Sequence, residues 1–247
     1  MQKPLIFGAA ALVILSGAAM LPASAGPVAA EQEPVHVSGM RNPELKTYRV
    51  MAAGLDAFDD HHDLAPTAKL VRFKLTRRAG MPQLDMDNLA LRISGDTISI
   101  PVPVAADGTF VLPRSEAADD EDADLILNKK KGGYRWRADV RSEGVPANMR
   151  RLGDLRLECQ VMVATAKKEM GFWIRSLINS FLLTTDWCNV DKLQLATKTD
   201  RKIRSATLLH QGERIRLHLS DDDTAYVPPL ADKTYPNDTL IEIEYDE

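Results

Sequence analysis

The densest run of metal-binding side chains is Asp59-Asp60-His61-His62-Asp63. Imidazole and carboxylate together suit zinc or another first-row ion. His61, His62 and Asp63 are therefore a candidate metal site, and with it a candidate hydrolase centre. Adjacent residues converge on one ion only where the backbone folds around it, and only His36, His210 and His218 remain as further histidines. A solvated loop at a helix end is the competing reading. Asp120, Asp122 and Asp124 have the spacing that opens a calcium loop, but Leu125 stands at the glycine position and Lys131 at the bidentate glutamate position. Asp221, Asp222 and Asp223 fit a hairpin turn with solvated carboxylates. Nucleophile-elbow, zincin, phosphate-loop and dinucleotide motifs are all absent. No catalytic residue and no cofactor is assigned.

A basic stretch is the better candidate for ligand binding. Lys129, Lys130 and Lys131 precede Tyr134-Arg135-Trp136-Arg137, and Arg141, Arg150, Arg151 and Arg156 follow. On a strand, Arg135 and Arg137 share one face and Tyr134 and Trp136 the other. The aromatics then enter the core. Arg135, Arg137, Arg150 and Arg151 are left as a surface patch for phosphate or carboxylate. Neutralisation of the neighbouring acids Asp119 to Asp124 is the alternative use of these cations.

The third candidate is an apolar helix. Residues 167–183 carry Phe172, Trp173, Ile174, Leu177, Ile178, Phe181, Leu182 and Leu183 in a wide stripe. Such a helix covers a sheet, or it docks on a partner or membrane surface through Trp173, Leu177 and Phe181.

Composition sets the compartment. Lys3, an uncharged apolar run from Leu5 to Leu15, and Ala23-Ser24-Ala25 follow the order of a cleavable secretory signal. The alternative is an uncleaved anchor. Cleavage after Ala25 leaves 222 residues and moves the net charge from −4 to −5. Mild acidity and export argue against nucleic acid as a partner. The expected location is periplasmic or secreted, with an envelope protein or an anionic envelope ligand as partner, favoured over membrane contact. An exported chain with two cysteines predicts a Cys159–Cys188 disulfide bracketing the apolar helix.

The elements that position these residues are mostly strands. Residues 26–43 lack periodicity and read as a disordered leader. Leu45, Tyr48, Met51, Leu55 and Phe58 predict a helix over 44–60. Alternation predicts strands near 70–76, 89–93, 98–104, 109–112, 125–127, 134–137, 205–210, 214–220 and 239–245. Pro101 and Pro103 put the third of these at a sheet edge. Leu152 to Ala164 also reads as a strand, carrying Cys159. After Gly95, Ile98, Ile100 and Val102 alternate just as Ile215, Leu217 and Leu219 do after Gly212, and each series goes on to acids, an aromatic and proline. Two related hairpin modules follow: residues 44–150 form a helix and the first module, 151–247 the bracketed helix and the second.

Leu89-Ala90-Leu91-Arg92-Ile93, then the run Asp107 to Pro113, then Leu125-Ile126-Leu127 resembles transthyretin-like and carboxypeptidase-regulatory-like β-sandwich modules. The resemblance covers about 69–128 and more faintly 203–246. It lacks the early glycine-rich turn and the Gly-x-Tyr before the last strand, and it implies an accessory sandwich for binding rather than catalysis. The expected fold is therefore α+β and β-rich: antiparallel sandwich-like modules with an N-terminal helix and a disulfide-bracketed helix. The expected function is a non-catalytic exported binding or accessory protein. The alternatives are a hydrolase using His61 and His62, or a structural envelope protein docking through 172–183.

Overall fold

The computed structural model describes residues 41–78 and 88–246. The signal segment and the leader up to residue 40 lie outside the described residues. The fold is α+β, with every strand pairing antiparallel.

The chain begins with β1 (Pro43–Thr47), which runs without a loop into α1 (Tyr48–Asp60). Leu45, expected on the helix, therefore belongs to a strand. The helical spacing holds only from Tyr48, Met51, Leu55 and Phe58, all buried. Next come β2 (Val71–Arg77), β3 (Leu91–Ser94), β4 (Ser99–Val102), β5 (Thr109–Phe110), the short α2 (Glu116–Asp120), β6 (Asp124–Lys130) and β7 (Tyr134–Val140). They form a sheet of order β1-β6-β3-β4 and a smaller one of order β5-β2-β7. The proline-bearing β4 is at an edge, where the N–H that Pro101 lacks breaks no ladder.

The second half repeats this plan. β8 (Met149–Arg151) runs directly into α3 (Leu152–Glu169). After α4 (Phe172–Leu182) come β9 (Thr197–Lys198), β10 (Ile203–His210), β11 (Glu213–Arg216), β12 (Ala225–Tyr226) and β13 (Leu240–Tyr245). β1 pairs with β6 as β8 pairs with β13. β3 lies between β4 and β6 as β10 lies between β11 and β13. β2 pairs with β5 as β9 pairs with β12. Lone bridges join Val104 to Phe110 and Leu219 to Tyr226. The strand-to-helix corners match as well: Tyr48 N–H donates to the Ala123 carbonyl, just before β6, and Leu152 N–H to the Thr239 carbonyl, just before β13. The echo seen around Gly95 and Gly212 is thus matched throughout the pairing pattern. The second half begins at β8, slightly before residue 151.

Leu152 to Ala164 is not a strand. It is the first three-quarters of α3. Leu152, Leu155 and Cys159 face one core, with Ile203, Leu208, Tyr226 and Ile241. Leu157 and Val161 face the other, with Met51, Phe73, Ile93 and Trp136. The helix predicted over 167–183 is likewise divided, since α3 ends at Glu169 and α4 begins at Phe172. The disulfide joins Cys159 to Cys188 with Cα atoms 5.9 Å apart. In the chain-entropy view, closing a loop of this size stabilises by about 3–4 kcal/mol.

α1 and α3, the corresponding helices of the two halves, pack together. A Cβ on Gly54 would lie 2.9 Å from Thr165 Cγ2 and 3.1 Å from Val161 Cγ1. Gly153 is tighter still: a Cβ there would lie 2.1 Å from the Leu64 carbonyl oxygen and 2.9 Å from that of Asn237. These are backbone atoms and cannot step aside. Gly153→Ala should therefore destabilise the fold by about 3 kcal/mol, lowering Tm by roughly 6–12 °C at this chain length. Gly171→Ala, where nothing lies within 4 Å, should leave Tm unchanged in the same thermal-unfolding measurement.

Candidate functional site

β7 alternates as the sequence predicts. Tyr134 and Trp136 are buried in the first core, while Arg135 is exposed and Arg137 half-buried on the opposite face. Pairing with β2 places Arg72 opposite Asp139, Lys74 opposite Arg137 and Thr76 opposite Arg135. A lysine facing an arginine across a ladder is repulsive unless anions intervene. Lys74 Nζ has one, Asp200 Oδ2 at 2.7 Å. Arg137 has no ion pair or side-chain hydrogen bond among the described residues. Burial, opposed by Glu158 and reinforced by Arg135 and Arg150, pulls its pKa below the ordinary guanidinium value.

The other edge of β7 meets α3. Ala138 N–H donates to Met162 Sδ at 3.1 Å and Val140 N–H to Glu158 Oε1 at 2.8 Å. Arg150, on β8, completes this edge. It donates to Glu158 Oε1 at 2.6 Å and to the Val140 carbonyl at 3.3 Å. Burial pushes the Glu158 carboxyl up, against the pull of Arg150. Despite burial, Glu158, Tyr226 and Asp139 hold the Arg150 proton more firmly than usual.

A cleft of about 810 Å³ opens over this seam. Lys74, Arg137, Asp139, Arg150, Glu158 and Tyr226 are among its lining residues. A neighbouring cleft of about 1030 Å³ shares Arg137 and Glu158 and is also lined by Arg135, Trp136 and Met162. Asp139 accepts from Arg72 at 2.5 Å and Arg141 at 3.1 Å. Burial raises its pKa, but Arg141, Arg150 and Arg72 outweigh that and leave it below the ordinary value.

The four-arginine patch is therefore divided. Arg150 is buried, and the expectation that it lies on the surface is corrected by its ion pair with Glu158. Arg151 donates to the Leu64 carbonyl at 2.8 Å. Arg135 and Arg137 remain available. The acids Asp119 and Asp122 are paired with Arg49 instead. Arg156, also buried, holds the 230–237 loop through Leu230, Asp232 and Asn237.

His61 caps the end of α1 and is exposed, as is Asp63. His62 Nε2 lies 2.8 Å from the Ala68 carbonyl, and its ring packs on Phe58. Among the described residues no group of three or more His, Cys, Asp or Glu is placed to hold a metal ion.

The apolar helix does not cover a sheet. No residue of α4 is buried. Trp173 is 83% exposed, Leu177 72% and Phe181 85%, with Ile174 beside them. The inner positions include Arg175, Ser176 and Asn179, and Asn179 Oδ1 accepts from Trp187 Nε1 at 2.8 Å. Ile178 and Leu182 are half-buried beside them, but the helix is largely inside out compared with an ordinary surface helix, with polar groups toward the domain and its largest apolar side chains in solvent.

No protein-family model, curated protein or solved structure matches this chain.

Two measurements test the seam. Glu158→Gln leaves Arg150 buried without its counter-charge and should lower unfolding free energy by about 3–5 kcal/mol, read from urea melts. Asp139, with its pKa depressed in the fold, stabilises above the ordinary carboxylate value of about 3.9. That stability is lost as pH falls through the folded value. Asp139→Asn should therefore be the less stable protein at pH 7 and show a shallower loss of stability on acidification.

Proposed function

We propose that this chain is an exported, non-catalytic accessory protein that works at the envelope, seated on a lipid surface through α4. The observation that carries the reading is the outward stripe Trp173, Ile174, Leu177 and Phe181. Monomeric proteins rarely leave so large an apolar patch in water. The disulfide fits an extracytoplasmic location.

Lipid is favoured over a protein groove by charge and length. No acidic residue occurs between Met170 and Thr185 in a chain with 35 of them, while Lys167, Lys168 and Arg175 lie on or beside the helix. This suits an anionic leaflet. At 1.5 Å per residue, α4 is about 16 Å long, against a bilayer core of about 30 Å. No described helix is long and apolar enough to cross a membrane. The helix would lie in the interface plane, with the aromatic side chains at headgroup depth. The resemblance to accessory β-sandwich modules agrees with binding rather than catalysis.

The test is flotation of the mature, oxidised protein with phosphatidylethanolamine–phosphatidylglycerol vesicles. The protein should float, and tryptophan emission should shift to the blue. Combined Trp173→Ser, Leu177→Ser and Phe181→Ser should weaken partitioning by about 100-fold or more without changing Tm. Absence of flotation, or a concentration-dependent dimer abolished by the same substitutions, would overturn lipid docking.

A further inference from the structure

We propose that the cleft over the β7–α3 seam binds a small carboxylate-bearing solute, with Arg137 as its ionic anchor. Three observations on separate elements converge there.

The first is the unmatched cation. Each buried or half-buried acid of the cleft has a basic partner: Asp139 has Arg72 and Arg141, and Glu158 has Arg150, while the exposed Asp200 has Lys74. Arg137 has none among the described residues, although it faces Lys74 across the ladder. A half-buried guanidinium in that position calls for an anion, and its planar fork matches a carboxylate in two-point contact.

The second is a set of buried polar atoms without partners. Arg150 Nε, the Tyr226 hydroxyl and Thr224 Oγ1 are all unpaired, and all three residues line the same cleft. Arg150 is only 7% exposed and Tyr226 fully buried. Nε–H can only donate and the two hydroxyls can donate. An acceptor would satisfy all three at once. Buried donors are rarely left unmade, since each costs about 1–3 kcal/mol.

The third is size and charge. The volume of about 810 Å³ falls in the range of small-molecule sites, about 300–1,000 Å³. A singly charged group balances the one half-buried guanidinium that lacks an ion pair; Arg77, Arg78 and Lys198, which also line the cleft, are exposed. A phosphate, at about −1.5 to −2, would add negative charge beside Glu158, Asp139 and Asp200. The cleft thus favours a carboxylate over a phosphoryl group.

The site does not involve α4, so the vesicle experiment and the following one fail independently. The Nε–Hε NMR resonances of arginine would be followed in the oxidised full-length mature protein. Sodium acetate and inorganic phosphate would be titrated separately, at constant ionic strength set with chloride. Acetate should shift the Arg137 and Arg150 signals saturably, with half-saturation on the order of millimolar. Arg137→Gln should weaken this by at least tenfold, and Tyr226→Phe by a smaller factor. Arg135→Gln, on the same strand face but lining only the neighbouring cleft, should leave it unchanged. The triple serine variant of α4 should bind acetate normally. Tighter binding of phosphate would overturn the carboxylate assignment. No saturable shift with either anion, or equal shifts in Arg137→Gln, would overturn the site.

Discussion

The fold depends on how the open edge of β7 is satisfied. No strand among the described residues pairs there, and α3 side chains take its place. Glu158 receives the Val140 N–H and the Arg150 guanidinium together, and Arg150 reaches the Val140 carbonyl. One turn earlier, Asp154, fully buried, accepts from both the backbone N–H and the hydroxyl of Ser142. Met162 takes the Ala138 N–H one turn later. A single helix face thus stands in for an edge strand, and it ties a strand of the first half to the helix of the second. Such an arrangement demands buried charge. It survives because the charges are paired and their remaining hydrogen-bonding capacity is used on backbone groups.

The duplicated plan makes the exceptions informative. α1 and α3 correspond and pack on each other, with glycine at the closest approach. β1 to β6 correspond to β8 to β13. Besides the short α2, two elements lack a counterpart among the described residues: β7, and α4 with its disulfide. These two additions hold both candidate binding features, Arg137 on β7 and the exposed stripe on α4. The repeated parts supply cores. The unrepeated parts supply unmatched charge and unmatched apolar surface. Function placed on additions to a shared scaffold is what sandwich modules permit, since their cores leave little freedom for anything but packing.

Much of this was legible in the sequence. The strands β2 to β7, β10, β11 and β13, the edge position of the proline-bearing β4, the disulfide, and the inward Tyr134 and Trp136 follow from alternation, proline chemistry and cysteine arithmetic, whereas β1, β8, β9 and β12 are too short or too irregular to show it. α3 was not. Its apolar residues Leu155, Leu157, Cys159, Val161 and Val163 alternate with polar ones up to Met162, which is strand grammar. The cause is burial on two sides. One stripe of the helix faces each core, and the union of two helical stripes imitates a period of two. Arg150 escaped for a related reason: a lone arginine beside Arg151 carries no local mark of burial, because its partner Glu158 lies across a turn of chain into another element.

The inside-out polarity of α4 follows from its tether. Cys188 is held to Cys159 on the buried face of α3, and Trp187, itself buried, offers its indole N–H toward the helix. Asn179 meets that donor, so the polar face is turned inward by a hydrogen bond that an apolar face could not make. Rolling the helix over to hide Trp173 and Phe181 would strand the Trp187 donor and leave Asn179 without it. The net gain from one such bond is only about 1 kcal/mol, less than burying a single large aromatic side chain would return. The hydrogen bond can therefore set the orientation, but it cannot account for the exposure by itself. The balance closes only if the outward stripe is itself removed from water, so a covering surface would enter the energetics of the helix as well as the proposed docking.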